Sequence, residues 1–308
     1  MKRATLLLLL KIAVSLGLLS FLVSRIDLSD FLRVLASAHI SYLLTALVAY
    51  FFGQLISSFR WALLARALGF KNPLKDFTMF YFIGMFFNLF APSTVGGDVG
   101  RVFYLSRAGS IGFATISVVA DRAIGMGVLV WVGAVALAAF PDYALPAAIR
   151  YTTFALALAF PLGCASLPLI SRLFQSRGGA LWKSLDGALQ AYWDRRRVIV
   201  HTALLSLVVH LLQGWMQVLL GRALEAEIPW SYGFIIYPLV GVFSALPISL
   251  NGIGLREGGY LFLLRHIEIS AEKAIAFGLL WFIIVALDSL IGGLVFILRR
   301  NSKPPRAD

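Results

Sequence analysis

One cysteine, four histidines and fifteen acidic residues are all that 308 residues offer to redox, metal and carboxylate chemistry. The single thiol, Cys164, excludes an intrachain disulfide and sits in an apolar run that suggests no redox role. The histidines are scattered without metal-ligand spacing. No Gly-x4-Gly-Lys-Ser/Thr loop occurs, so the chain lacks the backbone cradle that holds ATP phosphates. Charged residues make up 14% of the chain, against about 25% in an ordinary soluble domain. The longest polar stretches are no longer than surface connections or short interfacial helices, which leaves no room for a soluble domain.

What the chain has instead is apolar length. It is 60% hydrophobic with a mean hydropathy of +0.86, the composition of an integral membrane protein. Runs of about 20 apolar residues, enough to cross a bilayer, recur near 4–23, 38–58, 122–140, 150–171, 198–221 and 274–298. The first run resembles a signal peptide but lacks a small-x-small cleavage site, so it reads as an uncleaved span. Two further apolar stretches, near 77–95 and 231–250, run straight into glycine-rich segments.

The formal charge of +12 superficially suggests nucleic acid, yet its distribution points to a membrane surface. Basic residues cluster at Lys2 and Arg3, at Arg60, Arg66, Lys71 and Lys75, from Arg172 to Arg197, and in the tail from Arg299. The connections between these clusters are nearly neutral, as the positive-inside rule expects of alternating loops. Taking 77–95 and 231–250 as re-entrant hairpins places all four clusters, and both termini, on the cytoplasmic side beside anionic lipids. Taking them as full spans would export the segment 172–197, with six basic residues against Asp186 and Asp194. The hairpin topology fits the charges. Within that segment Leu181, Leu185, Leu189 and Trp193 recur every four residues, the pattern of an amphipathic helix on the membrane surface.

The two glycine-rich segments share one pattern. NLFAPSTVGGDVGR (88–101) and SALPISLNGIGLRE (244–257) both read Pro-x4-Gly-x3-Arg from Pro92 and Pro247, matching Gly97 with Gly252 and Arg101 with Arg256. Arg66-Ala67-Leu68 and Arg222-Ala223-Leu224 repeat at nearly the same offset. Non-helical backbone survives at membrane depth only inside protein or around a wet cavity, and paired interruptions in two halves point to a transport site. The expected fold is an all-α polytopic membrane protein of two inverted-topology repeats, about 1–145 and 146–300, each with three transmembrane helices and one re-entrant hairpin. A short polar tail, 301–308, reads as disordered.

Candidate substrate-binding residues follow from these motifs. Asn88, Gly96, Gly97, Asp98 and Arg101 form the first set; Asn251, Gly252, Gly254, Arg256 and Glu257 form the second. Glycine-rich turns before a helix expose amides to anions, and arginine's planar fork suits phosphate. Asp98 and Glu257 are placed to compete for those arginines. Ionisable groups at membrane depth cost from roughly 2.5–3.5 kcal/mol upward, more than a mere turn requires. Asp121 and Arg122 stand between two apolar runs, either as a buried pair or at a hairpin exit. Asp288 stands alone inside the last span, free to carry a proton or to face Arg256. These three are candidates for the pathway or for coupling. Arg60-Trp61 reads as an interfacial anchor, and His201 and His210 as residues hydrogen-bonded within the bundle.

Arg60-Trp61, the 88–101 block, Asp121-Arg122 and PISLNGIGLREGG, in that order and over essentially the whole chain, resemble the lysylphosphatidylglycerol synthase transmembrane-region family, the flippase-like integral membrane proteins. NGIG at 251–254 departs from the glycine pair common in that family. In its bifunctional members a soluble domain makes the lipid and the membrane module is thought to move it. The resemblance therefore implies a bacterial inner (cell) membrane protein that translocates a lipid and is not itself an enzyme, with no cofactor and no nucleic-acid partner. An intramembrane headgroup transferase and a scaffold for a partner enzyme are the competing readings. The lipid, the coupling and the oligomeric state, a homodimer included, are left open by the sequence.

Overall fold

The computed structural model describes residues 3–24, 26–90, 96–175, 179–246, 249 and 252–301. Of the motif residues, Pro92, Pro247 and Asn251 lie outside them. Among the described residues the chain is all helix, without a strand. The first half holds α1 (Arg3–Val23), α2 (Leu28–Ala36), α3 (Ile40–Ala67), α4 (Leu74–Phe90), α5 (Gly96–Ser106) and α6 (Ile111–Ala139). The second holds α7 (Ala147–Gln175), α8 (Ala180–Asp194), α9 (Arg196–Ala223), α10 (Trp230–Ser244), α11 (Leu255–Arg265) and α12 (Ala271–Asn301).

Helices α3, α6, α7, α9 and α12 are each long and apolar enough to cross a membrane, and α1 with α2, bent by 91° at their junction, makes a sixth such unit. Their bounds run past the expected spans at several ends. The largest difference is α6, which begins at Ile111 and carries Asp121 and Arg122 well inside a continuous helix rather than at a hairpin exit. At 1.5 Å per residue α4 and α10 are about 25 and 22 Å long, and α5 and α11 about 16 Å, all short of a roughly 30 Å hydrocarbon core. Each short pair, α4 with α5 and α10 with α11, packs arm against arm.

Two connections form amphipathic helices. The sequence between 180 and 194 does so as expected. The stretch 28–36, a connection between the first two expected spans, forms α2, whose first turn is capped by the Asp27 carboxylate accepting the backbone N–H groups of Ser29 and Asp30.

The halves meet along α3 and α9, the most extensive helix contact in the molecule. Both are 28 residues long, and each begins beside the end of the other. The His39 N–H donates to the Ala223 carbonyl (2.8 Å), and Arg195 Nη1 donates to the Ala67 carbonyl (3.1 Å). Positions 39 and 195 differ by 156, as do 67 and 223, so equivalent positions meet twice, once through the His39 backbone N–H and once through the Arg195 guanidinium. The arms are shared across the halves in the same way. Helix α4 lies on α12, where a Cβ at Gly292 would sit 1.9 Å from the Phe82 carbonyl oxygen. Helix α10 lies on α6, where a Cβ at Gly133 would sit 3.0 Å from Pro238. Positions 82 and 238 again differ by 156.

The steric demand makes a prediction. Gly292→Ala must push two helix backbones apart and costs about 3 kcal/mol or more, whereas Gly163→Ala in α7, with nothing within 4 Å of its Cβ, changes stability by less than about 1 kcal/mol. Thermal unfolding of the two variants in one detergent checks the contrast.

Candidate functional site

Close approach of two backbones builds the first half of the site. A Cβ at Gly97 would lie 1.9 Å from the Gly84 carbonyl oxygen, so α5 can start against α4 only with glycine there. The Asn88 side chain, in the last turns of α4, accepts the Gly97 N–H at 2.7 Å and holds the two arms in register. Gly96 opens α5. The first turns of α5 then carry Asp98 and Arg101 inward, and Arg101 is buried between two rings, its guanidinium 4.2 Å from Trp61 and 4.7 Å from Tyr81.

Five charged side chains form one alternating chain here. Arg60 Nε and Arg101 Nη2 each donate to a different oxygen of Asp121, both at 2.8 Å. Arg101 Nη1 is 3.5 Å from Asp98, whose other oxygen accepts Arg122 Nε at 2.6 Å. Arg60 also donates to Ser206 on α9 at 2.8 Å, which ties the chain to the second half. Three guanidinium groups against two carboxylates leave a formal excess of one positive charge. Asp121 is 2% exposed and lies ten residues into α6, about 15 Å from the start of a helix about 43 Å long.

Two expectations are corrected by this network. Asp121 and Arg122 do not pair with each other: their side chains leave the helix in different directions, one to Arg60 and Arg101, the other to Asp98. Arg60-Trp61 is not an interfacial anchor. Both residues are buried, Arg60 on Asp121 and Trp61 with its indole N–H on Ser117.

These residues line a polar cavity of about 340 Å³ between the halves. Asn88, Asp98, Arg101, Asp121 and Arg122 line it, joined by Tyr50, Gln54, Ser57 and Arg60 of α3 and by His210 and Gln213 of α9. His210 is held by Tyr237 and by the Gly125 carbonyl, as expected of a bundle histidine, while His201 on the same helix is exposed. The sequence signal for the unforeseen lining residues was present: Gln54, Ser57 and Gln213 are polar residues within apolar spans. Arg101 Nε and Gln213 Oε1 are buried without a hydrogen-bond partner among the described residues. Unpaired buried polar atoms are uncommon in folded proteins, and these two mark a polar wall whose hydrogen bonds are not all made.

The second motif is organised differently. Gly252 and Gly254 adopt φ of 77° and 84°, left-handed conformations that glycine takes at little cost, and they turn the chain into α11. The Glu257 carboxylate accepts the Gly254 N–H at 2.7 Å and binds its neighbour Arg256 through Nε (2.9 Å) and Nη2. Arg256 also lies over the Phe282 ring, and both charged residues are buried. Neither lines the polar cavity of the first motif. Asp288 does not pair with Arg256, which Glu257 already engages. It is 1% exposed, with Oδ2 lacking a hydrogen-bond partner among the described residues, and lies within electrostatic reach of the Tyr50 hydroxyl on the cavity wall.

Long apolar helices around a charged, internally paired chamber define an all-helical integral membrane protein with a polar site at membrane depth. Within that class the chain belongs to the family described as the lysylphosphatidylglycerol synthase TM region, whose model matches residues 8–292. A segment of 132 residues is also 26% identical to a UPF0104 membrane protein of Methanocaldococcus jannaschii. That match spans 42% of this chain and 38% of the relative's length.

The network predicts unequal effects for its two carboxylates. Asp121→Asn leaves two buried guanidinium groups short of their counter-charge and lowers stability by about 3–5 kcal/mol. Asp98→Asn, whose Arg122 partner is 45% exposed, costs about 1 kcal/mol or less. Denaturation of the purified variants, compared at one protein-to-detergent ratio, measures the difference.

Proposed function

We propose that this protein moves a lipid with an anionic or zwitterionic phosphate headgroup between the leaflets of its membrane. The observation that carries the proposal is the net positive chain of Arg60, Asp121, Arg101, Asp98 and Arg122 on the wall of a polar cavity between membrane-spanning helices. A phosphate competes with Asp98 for Arg101 and Arg122. The headgroup crosses inside the protein while its tails stay in the bilayer. The family's description, which names a phospholipid, agrees with a lipid cargo.

In this reading the halves are inverted-topology repeats and the two short-helix pairs are re-entrant, entering from opposite faces. Support comes from the doubled α3–α9 contact and from the short arms. Asn88, Gly97, Asp98 and Arg101 serve one half-site. Gly252, Gly254, Arg256 and Glu257 serve the other, where Glu257 holds Arg256 until a headgroup displaces it. Asn251 belongs to the same motif. The protein makes and breaks no covalent bond and needs no cofactor. Both termini face the cytoplasm of a cell membrane, with the basic face of α8 and its neighbours against anionic lipid.

Reconstitution tests this. Vesicles containing the protein should exchange headgroup-labelled phosphatidylglycerol between leaflets faster than empty vesicles. Arg101→Gln should slow that exchange about tenfold or more, the loss of one charge-assisted hydrogen bond. No acceleration over empty vesicles, across several anionic and zwitterionic headgroups, refutes the proposal.

A further inference from the structure

A second, larger cavity lies on the other side of the helices that wall the polar chamber. It measures about 720 Å³, and its walls come from α1, α6, α7, α10 and α11. Its lining is almost wholly apolar, and its buried polar group, Thr153, spends its hydroxyl on the Ile149 carbonyl of its own helix. Such a space offers a headgroup nothing. It offers a hydrocarbon chain a continuous apolar wall.

The two cavities are back to back. Successive residues of α6 line different cavities: Leu129 the polar chamber and Val130 the apolar groove. Successive residues of α10 do the same, Tyr237 on the chamber and Pro238 on the groove. What separates the cavities is therefore the α6–α10 contact, closed by two small-residue approaches. A Cβ on Gly241 would lie 3.1 Å from Leu129 Cδ2, and one on Gly133 would lie 3.0 Å from Pro238. Pro238 has no N–H to give the Phe234 carbonyl, which provides α10 with a bending point at the seam.

Building on the translocation reading, we propose that the groove takes the hydrocarbon tails of the same lipid whose phosphate occupies the Arg101 chamber, the α6–α10 seam being the slot between head and tails. The cargo is thereby a long-chain lipid and not a soluble phosphate compound. The seam forms the side door through which the tails keep contact with the bilayer. Its position accounts for Gly258, which lines the groove with nothing within 4 Å of its Cβ although it interrupts α11 at a cost to helix stability.

Photolabelling and transport together test this on the full-length protein. In nanodiscs of zwitterionic lipid, phosphatidylglycerol with a diazirine at its chain end should label peptides of α7 and α11. Unlabelled phosphatidylglycerol should compete. Diacylglycerol with the same chain should label them at background level. Gly258→Phe places a ring in open groove space, and it should abolish the competed labelling and slow leaflet exchange about tenfold or more, the effect of denying burial to two methylenes. Leu156→Trp, which fills the groove from α7, should do the same and serves if the first variant unfolds at a lower temperature. Equal labelling by both probes overturns the proposal, because the groove then holds bulk lipid. So does competition by inorganic phosphate as effective as by phosphatidylglycerol, or wild-type exchange in both filled variants. A wild-type protein that labels as expected yet moves no lipid keeps the tail site and removes translocation.

Discussion

The burial of Asp121 between Arg60 and Arg101 is the constraint on which the rest of the structure depends. A carboxylate buried inside a membrane-spanning helix bundle is tolerated only with partners on both oxygens, and those partners come from α3 and α5. Meeting that demand brings three helices of the first half to one point, and the Arg60–Ser206 bond carries the connection to α9. The close glycine contact at Gly84 and Gly97 lets Arg101 arrive there. The Trp61 and Tyr81 rings fill the space around its guanidinium without competing for its donors.

The second half meets the same demand locally. Arg256 and Glu257 are neighbours in one helix and neutralise each other there, with Gly254 supplying a further donor. Matching arginines in the two motifs thus have different reach: Arg101 ties helices together, and Arg256 closes a turn. This asymmetry leaves the polar cavity beside the first motif and the apolar one beside the second. Asp288 is the carboxylate left over, buried against α12's neighbours with an oxygen unpaired among the described residues.

The long apolar runs made the spanning helices readable, and the paired glycine-rich segments located the short arms, because both features reflect backbone needs that only certain residues meet. Charge partners were not readable in the same way. Asp121 next to Arg122 looks like a pair in a line of text, yet successive residues on a helix point about 100° apart and their partners are set by packing. Arg60-Trp61 read as an anchor for a similar reason. Arginine and tryptophan near a span's end prefer the interface until α3 proves long enough to carry them into the core. Helix α2 has a legible stripe, Leu28, Phe31, Leu32 and Leu35 behind the capping Asp27, but at nine residues it is too short to span and sits between two spans as a connection. The apolar groove has no motif at all, since it is assembled from ordinary Leu, Val, Phe and Gly residues on five helices.

The seating of α4 on α12 and of α10 on α6 bears on how such a molecule changes shape. With the Phe82 carbonyl pressed into the hollow at Gly292, neither half can tilt as a block without unseating its short arm from the other. One piece free to travel as a unit is therefore a mosaic, α4 and α5 with the final helix of the chain, whereas α10 meets α6 at the looser Gly133–Pro238 seam. A hinge around such a mosaic falls at the linkers on either side of α4 and α5, so the moving part cuts across the line that divides the sequence into two.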